Sequence, residues 1–412
     1  MTTMNCRHCR ADLSLPFLDL GAAPPSNAYL DAAQLHAPET WYPLRVFTCT
    51  ECWLVQTQDY ARHGDLFTND YAYFSSISSS WLEHSRAYVE AMRARFGLGP
   101  TSLVAEVAAN DGYLLQYVQQ AGIPCFGIEP TASTAAAARG KGIEIVERFF
   151  GVALADELAR AGRQVDLVAA NNVLAHVPDI NDFTVGFARL LKPQGVATFE
   201  FPHLMRMVQE SQFDTVYHEH YSYLSLTAVQ RVFAASGLTV FDVAELPTHG
   251  GSLRVFAQRS DSGRQTVAPA VSRLLQREDG AGMTAPAFYA GFQAQAERVK
   301  NEFLAFLLDA RRQGKRVAAY GAAAKGNTLM NFAGIRPDLI RFVADRNAAK
   351  QGKYMPGSRI PIVGEQELLD ARPDFVVIMP WNLRAEVMEQ LAAVAAWGGR
   401  FVTAVPRLEV ST

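Results

Sequence analysis

Leu103-Val-Ala-Glu-Val-Ala-Ala-Asn-Asp-Gly112 begins as a short apolar strand and ends in small residues and a turn tripeptide. A helical pattern over Tyr113–Ala121 follows, and then a second strand-like run over Cys125–Glu129. Strand, small-residue turn, helix and strand in that order open a parallel βαβ unit. Val165–Ala170 and Gly195–Phe201 continue the alternation with helix-length spacers. The spacing therefore predicts an α/β fold with a doubly wound, mostly parallel sheet. Ligands of such sheets gather at the carboxyl ends of the strands, where the polar turns of this chain fall.

Those strand ends carry the residues expected to hold a nucleoside cofactor. Glu106, Ala108, Asn110 and Gly112 surround the first turn, whose backbone has to approach the cofactor closely and so favours small residues. Glu129 closes the next strand, where an acid accepts hydrogen bonds from two ribose hydroxyls. Phe149 and Phe150, just before Gly151, are placed to cover an adenine, while Asn171 and Asn172 face the other end of the cofactor. S-adenosylmethionine fits this order. NAD competes, but the turn lacks the glycine triad of dinucleotide sites. An α/β domain with ordinary polar strand ends is the plainer alternative.

Two thiol pairs, Cys6-x2-Cys9 and Cys49-x2-Cys52, precede this region. Two pairs at that spacing make a tetrahedral Zn²⁺ site with no position open to substrate, which implies a structural metal. A redox CxxC is the competing reading, and Cys125 is expected to be a core residue. Beyond residue 260, a helical stretch over Ala285–Gly314 leads to strand Arg316–Tyr320, the turn Gly321-Ala-Ala-Ala-Lys325 and a strand Ile340–Ala344 ending at Asp345. This repeats a nucleotide-binding pattern without the middle glycine of GxGxxG, so a Rossmann-like domain is expected that does not hold an intact dinucleotide. The expected division is 1–74 zinc-binding, 75–259 cofactor-binding and 260–412 substrate-binding. With 412 residues, a net charge of −3 and 19% charged residues, the chain shows no basic stripe for nucleic acid and no apolar run of membrane length. A cytoplasmic enzyme is expected, either monomeric or a weak dimer, acting on a small molecule.

The joint set of the four cysteines, Tyr73-Phe-Ser-Ser, Ala109-Asn-Asp-Gly, Asn172-Val-Leu-Ala-His-Val, Phe199-Glu-Phe-Pro-His203, Tyr217-His-Glu-His220, His249-Gly-Gly-Ser-Leu-Arg and Tyr320-Gly-Ala-Ala-Ala-Lys-Gly-Asn resembles the C-methyltransferases of deoxysugar biosynthesis. The resemblance spans nearly the whole chain. It implies a class I methyltransferase core, S-adenosylmethionine as cofactor, and methylation at C-3′ of a dTDP-4-keto sugar. Carbon becomes nucleophilic only after an α-proton leaves, which requires a base and a group to steady the enolate oxygen. By similarity His220 is the expected base and Glu219 orients its neighbours. His176 and Tyr217 contact the enolate or sugar hydroxyls, and Tyr73 reaches in from the N-terminal side. Asn172, His203 and Lys325 are expected at the substrate, with Lys325 near a pyrophosphate. A solvated lysine on a structural glycine turn is the alternative there. His36, His63 and His84 are expected to be ordinary hydrogen-bonding histidines. The chain departs from the family pattern at Ala108-Ala109, at His218 and at His203; the last two bear on the acceptor. An O- or N-methyltransferase of the same fold is the rival reading.

Overall fold

The computed structural model of the chain describes residues 4–59 and 74–411. The expected contact Tyr73, and His63, lie outside those residues. The N-terminal sheet opens with β1 (Leu15–Ala23), β2 (Tyr42–Thr48) and β3 (Val55–Thr57), paired antiparallel in that order. Its apolar face buries Phe17, Leu20, Leu44 and Val46.

The helix Ser79–Phe96 comes next, started by Ser78, whose hydroxyl accepts from the Trp81 N–H, and ended by Gly97 at φ 64°. A side-chain oxygen at the N-cap and a left-handed glycine after the last turn are the expected stops. The central sheet then forms from β4 (Val104–Val107), β5 (Cys125–Ile128), β6 (Glu144–Val146), β7 (Val165–Asn171) and β8 (Leu191–Pro202). The next strand, β9 (Ser222–Tyr223), leaves this sheet and pairs with β3, adding a fourth strand to the N-terminal sheet. β10 (Leu238–Leu246) and β11 (Ser252–Arg259) return, giving the order β10-β11-β8-β7-β4-β5-β6. All neighbours run parallel except at β11, which is antiparallel to both β8 and β10. The chain reverses its direction of growth between β4 and β7, so the crevice at their carboxyl ends is the ligand position.

The third sheet holds β12 (Val317–Tyr320), β13 (Val343–Ala344), β14 (Ile362–Val363), β15 (Phe375–Ile378), β16 (Arg400–Thr403) and β17 (Glu409–Ser411). Its order is β14-β13-β12-β15-β16-β17, parallel save for β17. The doubly wound Rossmann-like form follows. The helical stretch before it is three helices, Pro269–Gly280, Pro286–Ala290 and Phe292–Arg312. Val271 and Leu274 of the first belong to the core of the central sheet, whereas Tyr289 and Phe292 pack on Phe17 and Trp53 of the N-terminal sheet. The cores therefore interlock across residues 74 and 259. Among the described residues no helix is long and apolar enough to cross a membrane.

Candidate active site

The turn after β4 is built from left-handed residues: Ala108 at φ 59°, Asn110 at φ 49° and Gly112 at φ 77°. The Ala108 and Ala109 N–H groups donate to Ile128 O, holding the turn on β5. A Cβ on Gly127 would lie 2.6 Å from Ala109 Cβ and 2.5 Å from Ile145 Cδ1, so this glycine permits the close approach. Glu129 accepts from the Asn110 N–H through Oε2 and from the Thr131 N–H through Oε1, each at 2.9 Å. Each carboxylate oxygen has a second lone pair left for a hydroxyl. Glu106 is fully buried and raised well above the ordinary carboxylate range, first by burial, with Tyr113 opposing and Glu129 and Asp111 adding. Among the described residues, buried oxygens of Asp111, Asn171 and Asn172 have no hydrogen-bond partner. Buried polar atoms normally find partners, so this crevice fits a polar cofactor that supplies them.

The Phe150 ring packs edge-on against Phe183 and Phe187, at 5.6 and 5.0 Å, and the exposed ring of the pair is Phe149.

The Tyr217–His220 segment sits between β3 and the central sheet. His220 Nδ1 bonds Thr215 O at 2.8 Å, so that nitrogen carries the proton, and Nε2 accepts from the Tyr217 hydroxyl at 2.7 Å. Burial, then the nearby His176, pushes the His220 pKa well below its ordinary value. The His176 ring stands edge-on to His220 at 4.5 Å and its Nδ1 bonds Glu219 O at 2.9 Å. Glu219 is buried and raised by that burial; its Oε1 accepts from the Asn27 N–H and side-chain amide. His176, Tyr217 and His220 are thus brought together as expected, whereas the Glu219 side chain turns to the N-terminal segment.

Two departures from the family pattern hydrogen-bond to other segments of the chain. His218 bonds Tyr42 O at 3.2 Å and fastens this segment to β2. His203, expected at the acceptor, is 1% exposed, and its Nε2 meets Glu278 Oε1 at 2.7 Å. The same carboxylate accepts from the Leu226 and Thr227 N–H groups, so the pair ties the residue after β8 to the helix Pro269–Gly280. His84 bonds Glu200 beside Arg254, a hydrogen-bonding role as expected.

Lys325 reaches the same cleft from the C-terminal sheet. Its ammonium lies 4.5 Å from the Trp381 ring and donates to Asn382 Oδ1 at 2.7 Å. It is close enough to depress His220 and His249 and to act on Asp214, whose own pKa burial raises to about 6. The sequence did not assign His249 a role. It sits in a strained left-handed conformation at φ 53°, against Trp81, and its Nε2 accepts from the Asn172 amide at 3.1 Å. The signal was the Gly250-Gly251 pair after it: Gly250 at φ 87° has no room for a Cβ against Trp381. Trp381 also borders a cavity of about 400 Å³ lined by Arg206, Gln212, Glu245 and Gly251. The Gly321 turn itself is closed: the Ala322 N–H donates to Asp345, and Tyr29 and Lys350 donate to Ala322 O.

The Sγ atoms of Cys6, Cys9, Cys49 and Cys52 all lie within 4.8 Å of one another, with Cys6–Cys52 and Cys9–Cys49 at 3.5 Å. Zinc–sulfur bonds of about 2.3 Å in a tetrahedron place sulfurs about 3.8 Å apart, so four thiolates fit one Zn²⁺. The Gln56 side-chain amide donates to Cys6 Sγ at 3.2 Å, and the Cys52 N–H to Cys49 Sγ at 3.5 Å.

Comparison with known proteins agrees with this arrangement. Three family models match: "Putative zinc binding domain" over residues 6–67, "Methyltransferase domain" over 81–243 and "C-methyltransferase C-terminal domain" over 247–406. The chain is similar to the C-methyltransferase NovU of Streptomyces niveus, 33% identical over 98% of this chain and 96% of that one. Partial matches to solved structures include magnesium protoporphyrin IX methyltransferase of Synechocystis with bound SAM, at 17% identity, 43% of this chain, 79% of that one and a TM-score of 0.34. Another is an S-adenosylmethionine-dependent methyltransferase of Clostridium acetobutylicum, at 10% identity, 43% and 92% coverage and a TM-score of 0.36. Since the likeness to the Streptomyces enzyme takes in the cysteine cluster, the cofactor crevice and the C-terminal sheet alike, this chain belongs to the C-methyltransferase family and is an S-adenosylmethionine-dependent methyltransferase.

Proposed function

We propose that this methyltransferase acts on carbon, through an enolate, in a dTDP-linked keto-deoxysugar. The observation that carries the reading is the pair Tyr217–His220. A neutral histidine, fixed by Thr215 and bonded to a phenol, can take up a proton without first losing one. The α-proton passes to the Tyr217 oxygen as the phenol proton moves to His220 Nε2, or directly to Nε2 when the substrate displaces the phenol. His176 steadies the enolate oxygen, and Lys325 meets the negative charge of the acceptor. Asn172 orients the acceptor beside His249. When bound, S-adenosylmethionine supplies the electrophilic methyl group; Glu129 and the Ala108–Gly112 turn hold it. Residues 1–74, 75–259 and 260–412 act as zinc, cofactor and substrate units of a cytoplasmic monomer or weak dimer.

The first test is calorimetric titration with S-adenosylhomocysteine, followed by dTDP on the saturated protein. Sequential binding supports the reading, whereas cofactor binding without dTDP binding removes the nucleotide sugar. Incubating a dTDP-keto sugar in D₂O with S-adenosylhomocysteine then separates carbon from oxygen or nitrogen chemistry. Deuterium enters the α position without methyl transfer only if the enzyme forms the enolate.

A further inference from the structure

We propose that the zinc knuckle, through Arg7 and His8 between its first two ligands, positions both histidine loops of the reacting centre. The proposal rests on the roles given above to His176 and His220. Arg7 is 7% exposed, and its backbone N–H donates to Gln56 Oε1 at 2.8 Å while the Gln56 amide donates to Cys6 Sγ. Its position is therefore fixed from the metal-ligand side. The guanidinium then spans three segments. Nη1 donates to Pro178 O at 2.9 Å, two residues past His176, and Nη2 to Thr57 O at 3.0 Å and Asp59 Oδ1 at 2.9 Å. It also lies 5.2 Å from the ring centroid of Tyr221, the residue after His220.

These contacts close a circuit. The Thr57 hydroxyl donates to His220 O at 3.2 Å and the Thr57 N–H to Tyr221 O at 3.1 Å. The Tyr221 N–H donates in turn to Ala175 O at 2.7 Å, beside His176. His8 adds a second pin: its Nδ1 pairs with Asn181 Oδ1 at 2.7 Å, and the Asn181 amide donates to His8 O at 2.9 Å. A buried cation whose carboxylate partner is half exposed is a poor source of stability. Its value is geometric, because a planar fork ties several carbonyls at once and a lysine ammonium cannot copy that.

Arg7→Lys keeps the charge and removes the fork; Asn181→Ala removes the second pin without touching Arg7. In zinc-loaded Arg7→Lys the expected result is one zinc per chain and S-adenosylhomocysteine affinity within twofold of wild type. Amide hydrogen exchange of the 217–223 segment should be at least tenfold faster. On a dTDP-keto sugar, kcat should fall tenfold or more with KM for S-adenosylmethionine unchanged. Asn181→Ala should move exchange and kcat in the same direction by less. Loss of zinc or of folding in Arg7→Lys would overturn the proposal, because Arg7 would then serve the metal module alone. Wild-type exchange and kcat in both variants would overturn it as well. If the wild-type enzyme turns over no keto sugar, the functional reading fails, and exchange still decides the positioning role.

Discussion

Burial sets the protonation of the cleft residues, and it acts in opposite directions on bases and acids. His220 is held neutral by burial and by His176, and burial, with Lys325 adding, lowers His249 to about 4. Replacing Tyr217 with Phe leaves the His220 ring in place but removes the hydroxyl bonded to its Nε2. Turnover should fall about 10²-fold or more, the ordinary weight of a positioned acid–base group, with S-adenosylhomocysteine affinity unchanged in calorimetry. Asp214 shows the other sign. Burial lifts it from 3.8 to about 6, against the pull of Lys325 and Trp381. A raised folded pKa means stability that is present below about pH 4 and lost as pH climbs through about 6. The shift corresponds to about 3 kcal/mol. Asp214→Asn keeps an acceptor for the Trp381 N–H, so its melting temperature should gain on wild type between pH 4 and pH 7. A constant difference across that range would refute the assignment. The His203 contact with Glu278 was not legible at this scale because the two stand 75 positions apart, and no local pattern announces the pairing.

Elements place these residues, and they differ in how far the chain announces them. The strand–turn–helix from β4 was legible, since its apolar run, small turn and acid-ended next strand all lie within one βαβ unit. β9 was not legible: two residues carry no alternation, and its pairing with β3 is decided by contacts 160 or more positions apart. His249 was equally hidden, because its role depends on a left-handed backbone that no residue type but the following glycines betrays. The tight fit at β5 gives a direct test. Gly127→Ala would drive a methyl into Ala109 and Ile145 and push the Ala108–Asn110 turn off Ile128. The dissociation constant for S-adenosylhomocysteine should rise about tenfold, or about 1.4 kcal/mol. Gly250→Ala has both a positive φ and Trp381 in its way. A loss of roughly 1–3 kcal/mol in denaturant unfolding is expected from strain of that kind, with His249 displaced and turnover reduced.

Across the whole molecule, the sheets named by the sequence are present, but their boundaries are shared. β9 completes the zinc-bearing sheet from within the central segment, and Phe292 stacks on Phe17 at 4.6 Å from beyond residue 259. The Tyr29 hydroxyl donates to Ala322 O at 2.6 Å, and the Thr328 hydroxyl donates to Val216 O at 2.8 Å. Each sheet thus buries surface supplied by another, and none can open without exposing apolar side chains elsewhere. Zinc binding by four thiolates contributes on the order of 10 kcal/mol, comparable with the 5–15 kcal/mol that separates most folded chains from unfolded ones. Stripping the metal should therefore not release a small independent module. Calorimetry of the chelated protein should show one cooperative transition at a lower temperature than the zinc form, with turnover lost before the cofactor crevice melts. Two separate transitions, the upper one unmoved by chelation, would mean that the shared strands and helices couple the sheets too weakly for the metal to govern the reacting centre.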